Sequence, residues 1–238
     1  MIDYSQRSNK KELLDGNDIP FKDIADNMNE LDVINTYLGG HLITTDGFKK
    51  LSGKNKSISV CEIGCGGGDN LYAIYKFCKK NNIHAKFTGV DINPECIAFA
   101  IEKSTIENVE FIVSDYSLVH FESDKPSIIF SSLFCHHFTN EELVKMLQWM
   151  KDNAATGFFI NDLHRHPIAY NFIKYATRFF SKSYLVKNDA PLSVLRGFRK
   201  NEWKHIMEKA GIKGFTIRWK WAFRYLIIAR VAGQNHTC

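Results

Sequence analysis

No apolar run in the chain approaches the ~18 residues that suggest a membrane-spanning helix. The opening stretch, Met1 to Lys11, is polar where a secretory leader would carry an apolar core. Cysteine is sparse: the six cysteines, at 61, 65, 78, 96, 135 and 238, form no C-x-x-C pair and share no Cys/His spacing of a metal site. Neither a disulfide framework nor a metal is expected; buried free thiols in a reducing, cytoplasmic setting are. Internal repeats and low-complexity tracts are missing, which excludes solenoids and disordered linkers. What remains is 238 residues, 45% of them hydrophobic and 24% charged, enough for one substantial core.

Acidic residues run short in the last third. Residues 163–238 carry 15 Lys/Arg against 3 Asp/Glu, a balance of +12, whereas residues 1–162 carry 16 against 23, a balance of −7. The basic part either meets an anionic partner or offsets the acidic part within the fold.

The most informative stretch is local. An apolar run, Ile58 to Ile63, ends in Gly64-Cys65-Gly66-Gly67-Gly68-Asp69, after which Leu71, Ile74, Tyr75 and Cys78 recur at helical spacing. Strand, glycine loop and helix make the first βα unit of a nucleotide-binding sheet. The loop reads G-x-G-x-G rather than the dinucleotide G-x-G-x-x-G, and Glu62 and Asp69 frame it with carboxylates. Two carboxylates repel a pyrophosphate but suit a ligand bearing an ammonium and a sulfonium. Val60 to Leu71 resembles motif I of the class I S-adenosylmethionine-dependent methyltransferases. The resemblance implies an α/β, Rossmann-like fold with a seven-stranded mixed sheet flanked by helices. It also implies S-adenosyl-L-methionine as methyl donor, S-adenosyl-L-homocysteine as product, and Glu62, Gly64, Cys65, Gly66, Gly68 and Asp69 around the donor.

Later segments extend the pattern. Phe87 to Val90 is a short strand ending at Asp91, 23 residues past Gly68 and near the ~20-residue offset of a ribose-binding carboxylate; Asp91 and Ile92 join the donor set. Asn93-Pro94-Glu95 reads as a helix N-cap with Pro at N1. Val109 to Val113 is a third strand, and the Ser114-Asp115-Tyr116 that follows resembles the family's adenine-contacting segment. Ile128 to Ser131 is a fourth strand, which places Ser132 and Leu133 beyond its carboxyl end, beside the donor. Thr139 and Glu142 form a capping box before a helix striped by Leu143, Met146, Leu147 and Met150. Gly157 to Ile160 is a fifth strand, and strands at about 213–221 and 224–232 close the sheet as a hairpin.

Around this frame, residues 1–20 are expected to be irregular or a loose arm, followed by helices over Phe21 to Leu38 and about 41–51. The domain organisation read from this is an N-terminal helical extension over 1–52 and a methyltransferase domain over 53–238, with a helical acceptor-side insertion at about 164–198. Family members often use such an extension to wall the acceptor pocket, which brings in Tyr37 and His41. In the insertion, Ile168, Phe172, Tyr175 and Phe179 stripe one helix face, and Asp189 to Phe198 reads as a loop.

A hydroxyl acceptor must lose a proton as it is methylated, and histidine is the side chain whose ordinary pKa suits that task near neutrality. Cys135-His136-His137 resembles the post-strand-4 segment of phenol O-methyltransferases, in which a histidine is the base, so His136 and His137 are the catalytic candidates. His164, Arg165 and His166, after the fifth strand, are candidates for acceptor binding. His164 to Arg199 also resembles bacterial small-molecule O-methyltransferases of phenolic and polyketide pathways, through Arg165-His166-Pro167, the Asp189-to-Ser193 turn and Arg196-Gly197-Phe198. The expected partner is therefore a small phenolic or polyketide-type acceptor, with the protein a monomer or homodimer. Carbon methylation of a quinone-like precursor at a membrane surface is the alternative. Nucleic-acid acceptors are disfavoured, since Ser131-Ser132-Leu133-Phe134 stands where nitrogen-methylating relatives carry an Asn-Pro-Pro-Tyr-type tetrapeptide. A non-catalytic scaffold on the same fold is the remaining alternative.

Overall fold

A computed structural model describes residues 2–16, 19–121 and 124–231. The strands are β1 (Ser57–Ile63), β2 (His84–Asp91), β3 (Val109–Val113), β4 (Ile128–Ser132), β5 (Gly157–Leu163), β6 (Phe215–Lys220) and β7 (Arg224–Arg230). Among the described residues they form one seven-stranded sheet in the order β3-β2-β1-β4-β5-β7-β6. The first five run parallel, and β7 inserts antiparallel between β5 and β6. The helices are α1 (Phe21–Tyr37), α2 (Gly40–Ser52), α3 (Asp69–Lys80), α4 (Pro94–Lys103), α5 (Asn140–Asn153), α6 (Pro167–Phe180), α7 (Tyr184–Arg196) and α8 (Lys200–Lys209).

Both sheet faces are apolar because helices cover both, leaving its central strands no solvent side. Successive side chains of a strand point to opposite faces, so alternate residues feed two cores. Cys61, Ile63, Ile129, Phe158, Ile160 and Ile227 meet Leu143, Met146 and Leu147 of α5 and Trp203 of α8. Ile58, Val60, Ile128, Phe130, Phe159 and Leu226 meet Ile43 and Phe48 of α2 and Leu71 and Ile74 of α3. Each such side chain contributes roughly 1.5–3 kcal/mol by leaving water. The helix starts follow their sequence signals: Asn93 Oδ1 accepts from the Glu95 amide at 2.9 Å, and Thr139 and Glu142 cap each other reciprocally at the start of α5.

Two expectations are corrected and a third is narrowed. Asp189 to Phe198 is not a loop: residues up to Arg196 belong to α7, with Pro191 inside the helix. Leu185, Val186 and Val194 are buried along it, and that packing outweighs the breaker. The stripe Ile168, Phe172, Tyr175 and Phe179 of α6 faces solvent, and the buried residues are Ala169, Ile173 and Thr177. The smaller side chains face inward because Ala169 and Ile173 pack with Val194 of the neighbouring α7. Of the two readings of the N-terminal arm, its described residues are irregular apart from a short 3-10 turn, Leu13–Asp15, and are tied down rather than loose. Arg165 Nε donates to the Tyr4 carbonyl at 3.0 Å, and the Leu13 and Leu14 amides donate to Asp189 at 2.8 and 3.0 Å.

Candidate active site

The strand order reverses between β1 and β4, and at that point a parallel sheet opens a crevice beyond its carboxyl ends. The crevice is a cavity of about 1100 Å³, reached by α1, the glycine loop, the ends of β2 to β5, α6 and α7. Gly64, Gly66 and Gly68 line it with φ of 65°, 49° and 78°, the left-handed region that favours glycine. A Cβ on Gly64 would stand 2.2 Å from the Phe134 ring, so contact as well as conformation demands glycine there. Cys65 lines the cavity too, although its thiol is buried.

Asp91 ends β2 with both oxygens engaged: Oδ2 accepts from the Gly66 amide at 2.8 Å and Oδ1 from the Asn93 amide at 2.9 Å. Burial pushes its pKa up, against those two amides. Ile92 lies beside it on the cavity wall. Asp115 caps the turn after β3 by accepting from the Ser117 amide at 2.8 Å, and Tyr116 packs edge-on against Phe134, Phe138 and Trp149. Ser132 and Leu133 line the cavity beyond β4, Leu133 at a φ of 54° that a branched side chain rarely adopts. Glu62 differs from its expected place. It is fully buried beneath the loop, outside the cavity lining, and its carboxylate oxygens have no hydrogen-bond partner among the described residues. Burial, reinforced by Asp69 and Asp91, raises its pKa well above the carboxylate range.

Directly after the glycine loop, Asp69 Oδ2 accepts from Asn35 Nδ2 at 2.9 Å and pairs with His41 Nε2 at 2.7 Å. Burial works to raise the Asp69 pKa, but His41 and Asn35 hold it below its ordinary value. His41 thus stands behind Asp69, outside the cavity lining. Asn35 Oδ1 in turn accepts from Arg224 Nη2 at 2.9 Å. Arg224 is buried on the cavity wall, and its Nη1 is without a partner among the described residues. Burial pulls its pKa down to about 10, against the pull of Asp162 and Asp69, so the guanidinium is charged at neutral pH.

The cavity lining also takes in two histidines. His136 and His137 lie on a short turn after β4 with ring centroids 4.4 Å apart. His136 Nδ1 is 2.8 Å from Asp162 Oδ1 at the end of β5, and His137 Nδ1 is 2.9 Å from Asp15 Oδ1 of the N-terminal arm. Their Nε2 atoms both face Glu12, at 3.5 Å from Oε1 and 3.8 Å from Oε2 respectively. Burial favours neutral His136, but Asp162 and Glu12 prevail and push its pKa up to about 9.

The remaining acceptor candidates lie elsewhere. Tyr37 is 83% exposed at the end of α1 and outside the cavity lining. Arg165 is buried and turned away from the cavity: its guanidinium pairs with Glu202 at 2.6 Å and donates to the carbonyls of Tyr4, Ser5 and Gly197. His166 caps α6 and stacks on Phe223, so it stands one layer behind the cavity. His164 packs against Tyr225 and accepts from Trp219 Nε1 at 3.3 Å. Sequence reasoning missed Glu12, Asp15, Asn35 and Arg224, which no motif marks; Asp162 carried one signal, its place at the end of a predicted strand.

A search of curated protein sequences finds no match. Solved structures do share the fold. A SAM-dependent methyltransferase from Aquifex aeolicus aligns over 90% of this chain and 100% of its own, at 18% identity and a TM-score of 0.62. The plantazolicin methyltransferase BpumL, in complex with SAH, aligns over 88% of both chains at 16% identity and a TM-score of 0.64. Human N-acetylserotonin methyltransferase, in complex with SAM, aligns over 89% of this chain but 56% of its own, at 16% identity and a TM-score of 0.61. A family model described as a methyltransferase domain matches residues 54–211, most of the chain and all the parallel strands. The chain belongs to the methyltransferase-domain family.

Proposed function

We propose that the protein transfers the methyl group of S-adenosyl-L-methionine to a hydroxyl of a small phenolic or polyketide-type molecule. The observation that carries this reading is one cavity with two chemically distinct walls. One suits a zwitterionic nucleoside and the other presents proton-handling groups. The donor fits on three counts. Left-handed glycines let the backbone approach it closely. Asp91 stands where ribose hydroxyls are received. Asn35 bridges an anion, Asp69, and a cation, Arg224, whose Nη1 is unpaired among the described residues, a pairing that complements the ammonium and carboxylate of an amino acid. When bound, the donor supplies an electrophilic methyl group on a sulfonium.

The chain's own residues then position and deprotonate. Holding the acceptor oxygen in line with the methyl group supplies up to ~7–11 kcal/mol of the barrier reduction. Glu12, His136 and His137 reach the same cavity as the donor wall and are the groups that handle the hydroxyl proton. His137 is the more accessible, with a side chain 21% exposed against 3% for His136. Phe134, Phe138 and Ile173 add the apolar lining an aromatic ring prefers. Turnover on a panel of phenols, read as S-adenosyl-L-homocysteine formed, tests the reading. Acceptor-dependent product supports it; product from carbon acceptors alone would refute it.

A second reading has one specific observation behind it. The solvent face of α6 carries Ile168, Phe172, Tyr175, Phe179 and Phe180, flanked by Lys174 and Arg178. A basic helix with an exposed aromatic face suits an anionic lipid surface and hence a lipid-like carbon acceptor. Co-sedimentation with anionic vesicles at low salt would favour it, and its absence would leave the first reading alone.

A further inference from the structure

We propose that Glu12, His136 and His137 form a binding site for one divalent first-row transition-metal ion on the wall of the catalytic cavity. The site rests on geometry. One ligand atom from each residue falls in a set whose members lie within 4.8 Å of one another. The two Nε2 atoms face opposite oxygens of the same carboxylate at 3.5 and 3.8 Å, too long for good hydrogen bonds. For a tetrahedral ion at Zn–N and Zn–O distances, neighbouring ligand atoms stand about 3.4 Å apart, so the two histidine–carboxylate separations already lie within a few tenths of an ångström of that spacing.

The outer layer matches as well. Metal-ligating histidines donate their other ring N–H to a carboxylate or carbonyl, which fixes tautomer and orientation. Here both do: Asp162 holds Nδ1 of His136 and Asp15 holds Nδ1 of His137, at 2.8 and 2.9 Å. Two histidines in sequence, each turned by its own carboxylate so that its free nitrogen faces a third, are more than an ion pair needs. Glu12 is itself fixed, accepting from Ser193 Oγ at 2.8 Å. The nearby cations do not replace the ion. Arg7 and Arg196 donate mainly to the carbonyls of the same turn, those of His136, His137 and Phe138. Arg196 lies 3.9 Å from Glu12 and 3.5 Å from Asp15.

Two imidazoles and one carboxylate select zinc, iron, cobalt or manganese over magnesium or calcium. All three ligand residues line the cavity, so the ion's open positions face the acceptor space. This role deepens the hydroxyl-methylation reading and rests on it. With the ion in place the three side chains act on the hydroxyl proton through the metal rather than as bases: an acceptor hydroxyl bound to the ion releases its proton to solvent, its oxygen bonds to the methyl carbon as the carbon–sulfur bond breaks, and that electron pair stays on sulfur. The expectation of no metal came from Cys/His spacing, which cannot register a ligand from the N-terminal arm.

The test is a Co²⁺ titration of the chelator-stripped full chain, followed by visible absorption, with S-adenosyl-L-homocysteine affinity measured on the same samples. One Co²⁺ per chain is expected, with ligand-field bands. Outer-layer partners are worth about 10–100-fold in metal affinity, so Asp15→Asn should cost about tenfold and Glu12→Gln or His137→Ala at least about 100-fold. The exposed His84→Ala should bind as wild type. No saturable binding by the wild type, or undiminished binding in both Glu12→Gln and His137→Ala, would overturn the proposal. Homocysteine-ligand affinity retained alongside either result would leave methyl transfer standing and remove the metal alone.

Discussion

Replacing Arg224 by methionine separates ligand recognition from structural support. Its Nη2 donates to Asn35 Oδ1 at 2.9 Å and its Nη1 has no partner among the described residues. If Nη1 receives the donor carboxylate, truncation removes a hydrogen bond between charged groups, worth about 1.5–3 kcal/mol. That corresponds to about 10- to 150-fold in dissociation constant. Two stability effects oppose each other. Asn35 Oδ1 loses its donor, costing about 1–3 kcal/mol, while an incompletely paired buried charge disappears. Binding is therefore the informative readout. Calorimetry with S-adenosyl-L-homocysteine and with 5′-methylthioadenosine, which lacks the amino-acid end, isolates the contact. The first should weaken by the stated factor and the second should not change. Equal weakening of both, or an unaltered homocysteine ligand, would refute the assignment of Arg224.

The other predictions concern separate parts of the cavity. Asp91→Asn should weaken both nucleosides by about tenfold or more, because the ribose is common to them and a charge-assisted contact is lost, as calorimetry would show. Gly64→Ala should lower unfolding free energy in urea by at least about 2 kcal/mol, from left-handed strain together with overlap against Phe134. His137→Ala should reduce turnover by about 100-fold or more while leaving homocysteine-ligand affinity unchanged. His164 gives a pH effect. Burial, then His166 and Arg165, lower its pKa from 6.5 to about 4, so between those values the unfolded chain binds more protons. Stability should fall as pH drops from about 6.5 towards about 4, and His164→Phe should flatten that limb in thermal melts.

The cavity lining around the glycine loop was legible because its signals are local. The glycine loop lies between its own strand and helix, and Asp91, Asp115 and Ser132 sit at strand ends that apolar runs announce. The lining around His136 and His137 is assembled from distant segments. His137 and Asp15 are 122 residues apart, and the arm carrying Asp15 and Glu12 has no periodicity to mark it. Arg165 and His166 follow a strand end, as binding residues do. The Arg165 side chain nevertheless goes to the arm's carbonyls, an outcome that depends on packing rather than position. In α6, two stripes four residues apart in period compete, and α7 rather than hydrophobicity decides which is buried. Pro191 reads as a breaker in isolation and is overridden by the buried residues around it.

The central claim is methyl transfer from S-adenosyl-L-methionine to oxygen. Donor carrying a carbon-13 methyl group, incubated with the full chain and a phenolic acceptor that supports turnover, reports the bond formed directly by NMR. The account predicts a single new methoxy resonance that grows as S-adenosyl-L-homocysteine accumulates. A carbon-bound methyl resonance, or homocysteine product with the label released as methanol, would contradict it.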